Sequence, residues 1–84
     1  MNHVRFSDHA EYQLRERSIS KILVRDALEL PDRTIRQNDG RFRTVKLLAK
    51  RDKKYALVVI YEETGDTKRV ITAFLSSKIK KYLL

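Results

Sequence analysis

Two periodicities divide this chain. Up to Pro31 apolar residues recur at helical spacing, and beyond it they alternate or run together as they do in strands. Val4 to Phe6 fits either a short opening strand or an extended lead-in. Ser7 stands where an N-cap would, with Asp8 in the first turn, where a carboxylate suits the helix dipole. A helix is expected from Asp8 to about Arg17, with Ala10 and Leu14 as its inward stripe. Ser18-Ile19-Ser20 reads as a break. Ser20 can cap a second helix, and Ile19 can staple onto Val24 one turn in. That helix carries Leu23, Val24, Ala27, Leu28 and Leu30, a broad apolar arc suited to packing on a sheet. Pro31 ends it by disfavouring α geometry at Leu30.

The remainder predicts four strands. Thr34 to Gln37 leads into Asn38-Asp39-Gly40, a strong hairpin turn. Arg41 to Lys50 follows, closed by Arg51-Asp52-Lys53. Tyr55 to Tyr61 is apolar at every position, which marks a central strand buried on both faces. After the turn Thr64-Gly65-Asp66, Lys68 to Leu75 should set Val70, Thr72 and Phe74 on one face and Arg69, Ile71 and Ala73 on the other. Ser76 to Leu84 suits a short helix, with Ile79, Tyr82 and Leu83 at helical spacing. The short connections imply an antiparallel meander. The fold expected is α+β, with two N-terminal helices on one face of a four-stranded antiparallel sheet (ααββββ) and a C-terminal helical turn.

Composition narrows what such a fold can do. At 84 residues, 42% hydrophobic and 36% charged, the chain suits one globular domain spanning 1–84 with a modest Leu, Ile and Val core. Having no cysteine, it offers no disulfide, thiolate zinc site or Cys nucleophile. The longest apolar run is too short to span a bilayer, and a cytoplasmic protein with no membrane association is expected. The net charge of +8 is unevenly placed. Met1 to Pro31 balances five basic against five acidic residues; Asp32 to Leu84 holds fourteen against six and supplies all of it. The asymmetry suits a polyanionic partner, nucleic acid or an acidic protein segment, although a solvated basic surface gives the same count.

The stretch from Ser7 to Ser20, SDHAEYQLRERSIS, resembles the signature of a widespread family of small prokaryotic proteins filed as a domain of unknown function. In that family a His-Ala pair opens a helix and Arg-x-Ile closes it. RVITAFL, from Arg69 to Leu75, resembles the same family's last strand. The order of elements and the RVIT strand also resemble the BrnT family of RelE-like toxin ribonucleases. What this implies is a metal-independent endoribonuclease that cuts mRNA, needs no cofactor and is neutralised by a cognate antitoxin protein. RelE-like toxins spread catalysis over Lys and Arg side chains on the sheet.

Metal-free RNA cleavage needs a base for the 2′-hydroxyl, an acid for the leaving 5′-oxygen and cations for the phosphate. His9 is the natural proton-transfer candidate, and Gln13 and Arg17, four and eight residues on, share its edge of the helix. His9 packing locally and Arg17 pairing with Glu16, Asp8 or a backbone carbonyl is the plainer alternative. Glu16 could act as a base only if buried, and His3 lies in the lead-in. Arg41 and Arg43 share one strand face, with Lys46 on the other. Arg69 offers a planar fork for phosphate, and Thr72 could donate its hydroxyl or simply satisfy its neighbours. Lys78, Lys80 and Lys81 beside Tyr82 combine charge with a ring that could stack on a base. The catalytic set expected is His9, Arg17, Lys46, Arg69 and Thr72; RNA binding falls to Arg41, Arg43, Lys78, Lys80 and Lys81, with no metal ligand. A non-catalytic RNA- or ribosome-binding module and a basic protein-interaction domain remain alternatives.

Overall fold

The computed structural model describes residues 3–83. Its elements are β1 (His3–Phe6), α1 (Asp8–Glu16), α2 (Lys21–Glu29), β2 (Arg33–Arg36), β3 (Phe42–Lys50), β4 (Lys53–Thr64), β5 (Thr67–Ser76) and α3 (Ile79–Leu83). Both longer helices start where a serine accepts a hydrogen bond from a first-turn amide: Ser7 Oγ from Ala10 N at 3.0 Å, and Ser20 Oγ from Leu23 N at 3.1 Å. Between them Ser18 adopts a left-handed φ of 54°, and the Ile19 amide turns back to the Leu14 carbonyl at 2.9 Å. This closure of a helix end lets α2 follow after a short link.

The sheet has five strands in the order β1-β5-β4-β3-β2, and this corrects the expected architecture. The β2–β3, β3–β4 and β4–β5 pairs are antiparallel, but β1 adds a fifth strand parallel to β5, from His3 opposite Thr67 to Phe6 opposite Val70. The physical reason is the alternation of Val4, Arg5 and Phe6. Val4 and Phe6 pack into the core beneath α1 and α2, which a solvated lead-in would leave in water. The sheet is therefore mixed, and α1 and α2 carry the chain across it from β1 at one edge to β2 at the other.

Helices also cover both faces, not one. Leu57, Val59, Tyr61, Val70 and Ala73 meet α1 and α2 through Ala10, Leu14, Val24, Ala27 and Leu28. The opposite face carries Val45, Ala56 and Val58 beneath Ile79, Tyr82 and Leu83 of α3. The apolar run in β4 is buried from both sides, as its composition implies.

One irregularity changes which residues share a face. Ile60 lies opposite Thr72 but Tyr61 opposite Val70, so β5 bulges by one residue at Ile71. Val70 and Ala73 thus both point toward α1 and α2, whereas Phe74 joins the α3 face. The strict alternation expected for this strand does not hold.

Past Phe6, where β1 stops, α1 takes over the exposed margin of β5. The Ser7 amide donates to Val70 O at 3.0 Å, Ser7 Oγ to Ile71 O at 3.4 Å and Arg17 Nη1 to Ala73 O at 2.7 Å. The Thr72 hydroxyl hydrogen-bonds the Gln13 side-chain oxygen. A strand edge is satisfied here by the Ser7 amide and by side chains rather than by another strand.

Candidate nucleic-acid interface

On the α3 face, strand pairing lines up a row of charged side chains. Arg5 on β1 is level with Arg69 on β5, and Arg69 is level with Glu62 on β4. Arg41, just before β3, donates from Nε to Glu62 Oε1 at 3.2 Å, both side chains being 42% exposed. Val4 and Phe6 point into the core, so Arg5 points the other way, toward the side that Arg69 and Glu62 share by register. Arg5, Arg69, Glu62 and Arg41 thus form one row across the sheet, with Arg41 ion-paired to Glu62. Arg5 and Arg69 also line a shallow cavity of about 370 Å³ at the start of α1.

The next row belongs to Arg43, which sits across from Ile60 on β4 and Ile35 on β2. Its guanidinium lies 5.5 Å from the centre of the Tyr82 ring, and Lys81 Nζ lies 5.4 Å from the same ring. Tyr82 also meets Phe74 edge-on at 5.8 Å. Arg43 Nε is buried without a hydrogen-bond partner among the described residues. A buried guanidinium nitrogen left unpaired costs free energy. One row further, Arg33 Nη1 donates to Leu83 O at 2.7 Å and holds the end of α3 to β2.

The expected site residues divide between this face and other duties. Arg41, Arg43 and Arg69 come together on the α3 face, with exposed Lys80 and Lys81 on α3 beside them. The amide of exposed Lys78 donates to Ser76 Oγ at 3.1 Å, just before α3. Lys46 is on the other side of the sheet, across from Leu57, and its Nζ donates to Leu30 O at 2.7 Å where α2 ends. That contact places a cation at a helix C-terminus, where it is favourable. Arg17 and Thr72 are engaged along the β5 margin by the bonds given above. His9 is exposed on the first turn of α1, on the edge that carries Gln13 and Arg17.

Arg5 and Glu62 are the members of the row that sequence reasoning missed. Arg5 between Val4 and Phe6 has the alternation of a strand, but nothing local says which strand accepts it. Among the described residues no group of three His, Cys, Asp or Glu side chains is close enough to hold a metal ion. No helix among them is long and apolar enough to cross a membrane.

The class this geometry defines is a small mixed-sheet α+β domain with a cation-lined face partly roofed by a terminal helix. More particularly, the chain belongs to the family of the domain of unknown function DUF4258, whose model matches residues 6–75. No curated protein and no solved structure matches the chain. The family match carries no tie to the BrnT or RelE-like toxins.

Proposed function

We propose that this domain binds RNA across its α3 face. The observation that carries the reading is the row Arg5, Arg69, Glu62 and Arg41 lying next to Arg43, whose guanidinium overlies Tyr82. Strands are spaced about 4.8 Å apart, so the row crosses the sheet over about 14 Å, enough for more than one phosphate. Arginine forks suit phosphate oxygens, and an aromatic ring next to them offers a stacking surface for a base. The lysines of α3 extend the positive field beyond the sheet.

Cleavage of the bound strand, in the manner of a RelE-like toxin, is the second reading, and the Arg43–Tyr82 pair favours it. A guanidinium that can stabilise phosphate charge stands there beside a phenol that can move a proton. In this reading the sheet-borne arginines do the chemistry, and Arg17, Lys46 and Thr72, each bonded within the fold, are not part of it.

Fluorescence anisotropy with a labelled single-stranded RNA tests the binding. The wild type is expected to bind, and Arg43→Gln together with Tyr82→Leu to bind at least tenfold more weakly while remaining folded by circular dichroism. Equal affinity of wild type and double variant would refute the interface. Incubation with mRNA decides the second reading: fragments ending in 2′,3′-cyclic phosphate support it, and intact RNA leaves a binding module.

A further inference from the structure

Away from the RNA face, the outer edge of the sheet has unused backbone groups. Among the described residues β1 is the edge strand and pairs only with β5. The His3 amide donates to Asp66 O at 2.9 Å and the Ser7 amide to Val70 O at 3.0 Å. Ladder bonds come from alternate residues, so His3, Arg5 and Ser7 face β5 while Val4 and Phe6 carry N–H and C=O groups outward, where no strand follows among the described residues. Such an edge is a template for another extended chain.

Beside this edge, between β1 and α2, is a cavity of about 840 Å³ whose lining includes Val4, Arg5, Arg25, Leu28, Glu29 and Lys68. Three cations there face one carboxylate. Two of the cations are held in place by rings: the Arg25 guanidinium lies 5.7 Å from the centre of Phe6, and Lys68 Nζ lies 5.4 Å from that of Tyr61. Val4 and Leu28 supply an apolar floor.

We infer that the β1 edge receives an extended acidic segment of a partner protein, which adds as a sixth strand. Its backbone would bond the outward groups of Val4 and Phe6. Acidic side chains at alternate positions would meet Arg25 and Lys68 on the α2 side, and those between them would pass Arg5 on the other. Free donors and free acceptors alternate along the edge, and a polypeptide answers both, whereas RNA has no such ladder to offer. A second copy of this chain fits less well, because β1 against β1 would bring cations onto cations.

The test is an NMR titration of the full chain with an acetylated, amidated eight-residue peptide of alternating Glu and Val. Amide shifts are expected at Val4 to Phe6 and Thr67 to Val70. The same peptide N-methylated at alternate residues, along the edge that faces β1, should bind about tenfold more weakly, since each lost ladder bond removes a fraction of that factor. Val4→Pro removes the outward donor at an edge position that tolerates proline; it should weaken peptide binding severalfold and leave RNA affinity unchanged. Arg25→Glu with Lys68→Glu provides a second disruption that keeps the backbone intact. Shifts confined to the α3 face, equal binding of the N-methylated peptide, or no binding at millimolar peptide would each overturn the inference. So would RNA, rather than peptide, moving the Val4 and Phe6 amides.

Discussion

Converting both Arg41 and Arg69 to glutamine should change how RNA affinity responds to salt more than it changes the fold. The α3 face presents Arg5, Arg41, Arg43 and Arg69, with Arg41 and Arg69 on either side of Glu62. Each phosphate neutralised on a single strand contributes about 0.7 to the slope of log affinity against log salt concentration. Four such contacts give a slope of about −2.8, and an affinity that drops about fiftyfold from 50 to 200 mM salt. With two contacts removed the slope becomes about −1.4, and the same change of salt costs only about sevenfold. Gln retains much of the side-chain stem, so urea midpoints should move little for these partly exposed positions. Anisotropy titrations at four salt concentrations measure both slopes. A double variant with the wild-type slope would show that the row does not contact phosphate, and the interface argument would fail.

Two substitutions on the opposite side separate structural cations from binding ones. Arg17→Ala removes the donor to Ala73 O and Lys46→Ala the donor to Leu30 O. Each should lower stability by about 1 kcal/mol, under the usual range for a charged donor because Arg17 is exposed and Lys46 only half-buried. For a chain of this length that is a shift in Tm of about 4–8 °C, with RNA affinity within twofold of wild type; a tenfold loss of binding in a still-folded variant would restore them to the site. Alkaline unfolding supplies a further check. Burial pushes the Tyr61 phenol above its ordinary value, partly offset by its hydrogen bond with Thr44. The folded state thus favours the neutral phenol, so its contribution is complete below the ordinary tyrosine value of about 10 and is lost as pH rises from there through the folded value. Urea melts between about pH 9 and 11.5 should show a shallower alkaline decline for Tyr61→Phe than for wild type, and superimposable profiles would refute the assignment.

What the sequence made legible was whatever is encoded by neighbours. Ser7 and Ser20 announce their helices because a cap acts over three residues. Asp39-Gly40 announces a hairpin because the turn needs positive φ there, and Gly40 has φ 86°. The seven apolar residues of Tyr55 to Tyr61 announce a doubly covered strand without reference to any partner. The pairing of β1 carried no comparable signal: its alternation allows a strand, but its partner lies more than sixty positions away, and parallel pairing has no turn to betray it. The bulge at Ile71 was hidden for a related reason, since it is defined by register against β4 rather than by composition. These two silent features set the interface. The first brings Arg5 level with Arg69; the second decides which residues of β5 face α3.

The parallel contact between the first strand and the last also bears on how the chain is made. During synthesis, Val4 and Phe6 leave the ribosome long before Thr67 to Val70 exist to receive them. In the interval α1 can coil, but it lacks the margin of β5 that Ser7, Gln13 and Arg17 later fasten. The nascent chain must therefore hold this unfinished, partly greasy segment until β5 has emerged. Whatever engages that waiting segment meets the molecule before its sheet is complete.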